Sequence, residues 1–352
     1  MRFPTGLGVL PATNIIWTKV LTGWRILVTQ NVHENMRLHM RGPDFISLGQ
    51  QKAGTTWLYQ QLKSHPAFWL PPVKELHFFD NGFNFQMARR RLGNTVRMSN
   101  PPPTRNWRRL VENNIGENEY ALDTLEIDLE FFRRVLLTRA ARIQERKKKK
   151  NRGDAVFADC LDDKSFRFYA DIFNISDRLS GDITPAYGVL SPQAIRKITG
   201  KFANTKFILQ IRHPVSRAIS HIRHYFRNGA IDEKSFENAD AMANLMKVNP
   251  QFANNSLSSK IYENWSADVD DEKFMVMSLE QLIAEPLATR QKLADFLGVD
   301  GDGFTVPADS NRAQDRFRVE LPGESIDYLT QFFAPEVSRC REIFGEHCAE
   351  WK

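Results

Sequence analysis

The sequence predicts an α/β fold: a P-loop-like parallel β-sheet flanked by helices, one domain carrying a helical insertion. Three observations predict it. Asp44-Phe45-Ile46-Ser47 is an apolar-leaning, strand-like run, followed by a glycine-bearing turn and the helical run Trp57-Leu58-Tyr59-Gln60-Gln61-Leu62. Lys206-Phe207-Ile208-Leu209-Gln210-Ile211 is a second β-type run, and Pro214 opens the helical stretch behind it, where a missing N–H costs little. Finally, 352 residues with 42% hydrophobic content suffice for one large core, and no internal repeat divides them.

The first element ends in Leu48-Gly49-Gln50-Gln51-Lys52-Ala53-Gly54-Thr55-Thr56-Trp57-Leu58. A strand, a tight turn and a helix N-terminus make an anion site, because the first helical N–H groups lack partners and the macrodipole adds positive charge. Gly49 and Gly54 let the backbone approach a phosphate closely, and Thr55 and Thr56 add hydroxyl donors. The lysine position excludes the ordinary nucleoside-triphosphate loop, in which lysine follows the second glycine beside a magnesium-binding hydroxyl. Here Lys52 precedes Gly54.

The second strand ends in Arg212-His213-Pro214. Arg212 is therefore expected at the carboxyl edge of the sheet, where open α/β sheets bind ligands. Ser220, farther along the helix, adds a hydroxyl that can reach the same anion.

A third segment, Pro72-Val73-Lys74-Glu75-Leu76-His77-Phe78-Phe79-Asp80, follows the loop helix. An extended backbone would place Glu75 and His77 on one face, since strand side chains alternate. A carboxylate beside an imidazole suits removal of a proton from a hydroxyl, each shifting the other's pKa. The bland alternative is a buried ion pair between Glu75 and a neighbouring basic residue.

Read together, G-x-x-K-x-G-T-T-x-L from Gly49 to Leu58 resembles the 5′-phosphosulfate loop of sulfotransferases that use 3′-phosphoadenosine 5′-phosphosulfate (PAPS). Arg212, Pro214, Arg217 and Ser220 resemble that family's 3′-phosphate motif, with His213 where relatives often carry Asp or Asn. K-E-x-H-F-F from Lys74 is similar to the acceptor-side motif of the Golgi carbohydrate sulfotransferases and their bacterial relatives. Gly181-Asp182-Ile183-Thr184-Pro185-Ala186-Tyr187 resembles a segment E-K-[ST]-P-x-Y that borders the acceptor cleft. Ile183 stands where heparan-modifying members carry lysine, which argues against a heparan-like acceptor. Met275 to Leu282 is similar to the late core strand and its turn, and Phe344 to Trp351 to the terminal helix and tryptophan of bacterial members.

The resemblance implies PAPS as co-substrate, its bisphosphate PAP as product, and no metal. It places Gln51, Lys52, Ala53, Gly54, Thr55, Thr56 and Trp57 at the 5′ end, and Arg212 and Ser220 at the 3′-phosphate. Trp57 is expected near the adenine. Lys52 would neutralise the bridging oxygen in an in-line transfer, and Glu75, or failing it His77, would take the acceptor's proton. The acceptor is a hydroxyl on a carbohydrate, a lipid or another small molecule. Two rival classes stay open: a phosphotransferase with an unusual loop, and a non-catalytic nucleotide-binding module.

Composition sets the remaining bounds. A net charge of +6 suits an anionic ligand. Cys160, Cys340 and Cys348 lack metal-ligand spacing and read as free thiols in a reducing, cytoplasmic setting. His213, His221 and His224 lie close together without an accompanying cysteine or carboxylate pattern, so no metal site is expected. Residues 1–43 are expected to form a helical extension and 44–352 the catalytic domain. Ile15 to Val28 reads as an amphipathic helix, with a membrane-surface helix as the minor alternative. Lys19 and Arg25 interrupt its apolar run, so no transmembrane span is expected. Between about residues 81 and 155, the runs Arg89-Arg90-Arg91, Pro101-Pro102-Pro103 and Arg146 to Lys150 mark an insertion. Leu125, Leu129, Phe132, Leu136 and Ile143 predict one long amphipathic helix there, shaping the acceptor pocket. Its lysine run lacks interleaved aromatic residues, so no nucleic-acid partner is expected.

Overall fold

A computed structural model of the chain describes residues 15–20, 23–28, 41–80, 163–310 and 319–351. The chain separates into two compact units, residues 1–41 and 42–352. The insertion expected over 81–155, its helix, its lysine run and Cys160 lie outside the described residues.

In the first unit the expected helix over Ile15 to Val28 is replaced by an antiparallel pair, β1 (Ile15–Val20) and β2 (Gly23–Val28), in which Val20 pairs with Gly23 and Ile15 with Val28. The physical reason lies in residue type. Ile15, Ile16, Trp17, Thr18 and Val20 are β-branched or aromatic, and these fit a pleated strand better than a helix.

The second unit is built on a four-stranded, all-parallel sheet in the order β4-β3-β5-β6, formed by β3 (Phe45–Gly49), β4 (Gly181–Ile183), β5 (Lys206–Ile211) and β6 (Phe274–Ser278). Its helices are α1 (Thr55–Ser64), α2 (Asp163–Phe173), α3 (Pro192–Lys201), α4 (Pro214–Arg227), α5 (Ala239–Val248), α6 (Gln251–Asn254), α7 (Ser258–Ser266), α8 (Leu279–Ala284), α9 (Pro286–Leu297) and α10 (Gly323–Phe344). All five residues of β3 are buried, as in a sheet covered on both faces. The helical elements and parallel strands thus form the α/β fold that the sequence predicts.

Among the described residues, two of the apolar clusters that hold the layers are as follows. Phe45, Ile208 and Met277 of the sheet pack with Leu58 and Leu62 of α1 and Leu293 of α9. Ala218 and Ile222 of α4 pack with Met242, Phe252, Leu329 and Phe333 in a second cluster.

The strand order sets the position of the site. From β3 the chain moves outward to β4, then crosses to β5 on the other side and on to β6. The switch point therefore lies between β3 and β5, and in such sheets the crevice opens beyond the carboxyl ends of these two strands. The turn after β3 is the glycine-bearing loop, and the turn after β5 is Arg212-His213.

Candidate active site

The first turn is shaped by left-handed backbone. Gly49, Lys52 and Gly54 have φ of 88°, 70° and 93°. At Gly49 this freedom is required twice, since a Cβ there would stand 2.5 Å from the backbone of Pro185. Gly54 caps α1 without any side-chain bond to the helix N-terminus, and the first turn of α1 holds no acidic residue. Three consecutive N–H groups, those of Thr55, Thr56 and Trp57, are left facing the loop. Within the loop Gln51, Lys52 and Gly54 are half-buried, Ala53 is buried, and of the two threonines Thr55 is buried and Thr56 exposed.

The second turn closes on the first. The Arg212 Nη1 donates to the Lys52 carbonyl at 3.1 Å, and the Arg217 Nη1 donates to the Gln51 carbonyl at 3.4 Å. Arg217 is fully buried, and its further partners are the Ser256 hydroxyl at 2.6 Å, the Phe252 carbonyl at 2.7 Å and His221 Nδ1 at 3.3 Å. Every one of these partners is neutral or an imidazole. Burial, and then the charge of Arg212, push the Arg217 pKa down to about 9. Burial together with Arg217 and Lys52 likewise pushes His221 down to about 3. The crevice is thus a concentration of positive charge around an uncapped helix N-terminus, which fits a polyphosphorylated anion. Ser220 is half-buried on α4, three residues beyond Arg217 and so on the same helical face.

Trp57, at the loop's end, is almost fully buried. Its ring belongs to the apolar core, and its Nε1 donates to the Ala308 carbonyl at 2.6 Å. A large apolar residue in the first turn of a core-facing helix is drawn inward by burial.

The third segment is also differently built. Residues 71–80 contain no strand, and Glu75 and His77 have φ of 65° and 51°. Two non-glycine residues in the left-handed region cost about 1 kcal/mol or more each, so the surroundings must hold them there. The expected extended backbone is therefore wrong, yet the two side chains do meet: His77 Nε2 lies 3.5 Å from Glu75 Oε2. Lys74 Nζ bridges Glu75 Oε1 at 2.9 Å and the Thr55 hydroxyl at 3.3 Å, joining this segment to the anion turn. On its other ring nitrogen His77 meets Asp80 Oδ2 at 2.7 Å.

These contacts fix the charge states. Burial alone would raise the Glu75 pKa, but the His77 hydrogen bond and the Lys74 charge outweigh it and hold the carboxyl at about 2. Burial would lower His77, but Asp80 and Glu75 together raise it to about 10. At neutral pH the pair is a carboxylate and an imidazolium.

Lys74 and Asp80, which contact the pair directly, and Asp182, linked to it through Thr184, have no role assigned from the sequence. The spacing of His77 and Asp80 could have suggested a hydrogen-bonded pair, whereas the link from the Asp182 neighbours Thr184 and Tyr187 to residues 77 and 78 depends on tertiary folding. Ile183, read against a heparan-like acceptor, is a buried member of the core cluster at the end of β4.

The profile of the Sulfotransferase family matches residues 43–303, spanning the sheet, the turns after β3 and β5 and the Glu75–His77 segment. The chain belongs to the sulfotransferase family. Two human relatives, heparan sulfate glucosamine 3-O-sulfotransferases 3B1 and 3A1, are each 26% identical over 205 residues, or 51% of this chain, and that stretch covers 52% and 50% of their lengths. This sulfotransferase therefore spans about half the length of the curated relatives it matches. The solved sulfotransferase of Alicyclobacillus acidocaldarius is 18% identical, with a TM-score of 0.48 over 86% of this chain and 95% of that one.

Proposed function

We propose that this sulfotransferase moves a sulfuryl group from PAPS to the hydroxyl of a small-molecule or glycan acceptor, with Glu75 as the general base. One observation carries the reading: the Lys74 Nζ, in contact with both Thr55 and Glu75, sets a carboxylate immediately beside an uncapped, arginine-lined anion turn. PAPS would supply an activated sulfuryl group between its 5′-phosphate and the acceptor.

The residues then have distinct work. The N–H groups at the start of α1, with the threonine hydroxyls, would hold the 5′-phosphate. Arg212 and Ser220 would hold the 3′-phosphate. Lys52 would neutralise charge building on the leaving oxygen, a contribution greatest in the transition state. The lowered pKa of Glu75 keeps it as the carboxylate, the acceptor of the pair, while the raised pKa of His77 favours its protonated form and makes it the weaker candidate for base. His77 instead orients Glu75 and balances its charge, with Asp80 behind it.

For the acceptor, the human relatives named for heparan sulfate glucosamine favour a carbohydrate hydroxyl. The core position of Ile183 favours a glycan less heavily sulfated than heparan. A cytoplasmic setting belongs to the same proposal and is supported by the free thiols of Cys340 and Cys348, both buried. Among the described residues no helix is long and apolar enough to cross a membrane.

The experiment pairs a binding and a transfer measurement. Thermal stabilisation by PAP in the presence of a chelator, together with label passing from [35S]PAPS to a glycan pool, would support the proposal. Stabilisation by ATP with magnesium but not by PAP would favour a phosphotransferase. PAP binding without any transfer would favour a binding module.

A further inference from the structure

Asp182 is the middle residue of β4, almost fully buried, and its carboxylate accepts three hydrogen bonds, all from hydroxyls. The Thr184 Oγ1 donates to Oδ1 at 2.7 Å, and the Tyr187 and Tyr169 hydroxyls donate to Oδ2 at 2.8 and 3.0 Å. Two of those hydroxyls then accept from the segment that carries the acid–base pair. The His77 N–H donates to Thr184 Oγ1 at 3.4 Å, and the Phe78 N–H donates to the Tyr187 oxygen at 2.8 Å.

A hydroxyl has one proton, and its direction decides what the oxygen can offer elsewhere. An ionised carboxylate is acceptor-only, so it draws the Thr184 and Tyr187 protons toward itself. Their lone pairs are then left for the two amides. A carboxamide or a protonated carboxyl at the same place can donate. It would turn at least one hydroxyl around and set its proton against a backbone N–H.

We infer that Asp182 is a positioning residue of the sulfotransferase, one whose negative charge polarises Thr184 and Tyr187 and thereby clamps the left-handed backbone that presents Glu75 and His77. The inference rests on the roles proposed above for those two residues. It also accounts for the persistence of His77 at positive φ, which the local sequence does not favour.

The device has a built-in pH dependence. Burial raises the Asp182 pKa, the three hydroxyls lower it, and His77 lowers it further; the outcome is about 6. The titratable groups facing it are Tyr169 from α2, Tyr187 from the turn after β4, and His77 from the clamped segment; Asp80 acts on Tyr187 from the same segment. Protonation below about pH 6 should release the clamp. A carboxyl whose folded pKa lies above its unfolded value gains stability on protonation, so this loss of activity would come without loss of fold.

The test compares wild type with Asp182→Asn. Two readouts are used: exchange of the His77 and Phe78 amides, and the pH profile of [35S]PAPS transfer to a glycan pool. We expect faster amide exchange in the variant and a kcat lower by about 100-fold, the scale of a 1 Å misplacement, with KM for PAPS nearly unchanged. Wild-type kcat should fall below about pH 6 while the melting temperature does not, and that acid limb should vanish in the variant. Unchanged amide exchange, or an acid limb that survives the substitution, would overturn the inference. If Asp182→Asn does not fold, as judged by circular dichroism, Thr184→Val with Tyr187→Phe carries the same test through the intermediary hydroxyls. A wild-type protein that transfers nothing would sink the proposed activity, and amide exchange would still decide whether Asp182 holds the segment.

Discussion

Arg212 donates its Nη1 to the carbonyl oxygen of Lys52 at 3.1 Å, so the residue proposed for the 3′-phosphate props the backbone of the residue proposed for the leaving oxygen. The two turns behind β3 and β5 are therefore one preformed structure. Arg217 repeats the arrangement one carbonyl earlier, on Gln51. Such pre-organisation lowers the ordering cost of binding an anion that must span both turns.

Lys52→Ala should lower kcat by at least about 100-fold while PAP affinity changes little, because a charge on the leaving oxygen matters chiefly in the transition state. The check is a kcat measurement beside a PAP-dependent thermal shift. The backbone contributes as well, since Lys52 sits at φ 70°. Lys52→Gly should therefore preserve PAP binding at least as well as the alanine variant. A Lys52→Ala enzyme with normal kcat removes the side chain from the chemistry.

Arg212→Ala and Arg217→Met separate binding from folding. Arg212 is half-buried, so its loss should weaken PAP by about tenfold or more, the worth of a charge-assisted bond, with little effect on unliganded stability. Arg217 is fully buried and holds Gln51, Ser256 and Phe252 together, so Arg217→Met should destabilise the fold by about 3 kcal/mol through the acceptors it leaves unsatisfied. Urea unfolding and PAP titration of both variants decide this. Equal loss of stability in the two would contradict the division of labour.

Much of this site was legible in the sequence, and the exceptions have physical causes. The strands at Phe45 and Lys206 and the helices behind them are local features, set by apolar runs, glycine and Pro214, and they fold as read. The Glu75–His77 contact was legible by residue type but not by backbone. Alternation predicts strand geometry, whereas hydroxyls more than 100 positions away hold a left-handed turn. The inward facing of Trp57 was not legible, because a motif position says nothing of which way a helix faces, and burial decided that. The Ile15–Val28 pair was misread because its spacing suited a helix while its β-branched residues suited strands.

The charge states of Glu75 and His77 predict how stability responds to pH. His77 has a folded pKa of about 10 against an ordinary 6.5, so its contribution is complete below about pH 6.5 and lost as pH rises toward 10. Glu75 runs the other way, contributing above its ordinary 4.5 and losing that contribution as pH falls toward 2. The melting temperature should therefore decline between pH 7 and 10, and His77→Gln should flatten that decline. Glu75→Gln should lower the His77 pKa, visible in an NMR titration of its ring, and reduce kcat by about 100-fold or more as the proposed base is lost. A His77 ring that titrates near 6.5 in the wild type would break the argument for Glu75 as base.

Trp351 supports the turn after β5, proposed for the 3′-phosphate, through Glu280. One carboxylate oxygen of Glu280 accepts the His213 N–H at 3.1 Å, and the other accepts the Ser278 hydroxyl at 3.0 Å and the Trp351 indole N–H at 3.2 Å. The Trp351 ring also packs edge-on to His213, with centroids 5.5 Å apart, and is itself buried. Arg212 is the residue before His213, so anything that loosens this corner displaces its guanidinium. Trp351→Phe keeps most of the packing and deletes one hydrogen bond, and it should cost about 1 kcal/mol of stability. Trp351→Ala should cost about 3–5 kcal/mol, because a large buried side chain is lost and a cavity remains. In both variants PAP affinity should fall further than can be explained by unfolded protein alone, with Glu280→Gln weakening PAP to a similar extent. PAP titrations well below the melting temperature test this. Wild-type affinity in a folded Trp351→Ala protein would show that the terminal tryptophan serves the core and not the phosphate.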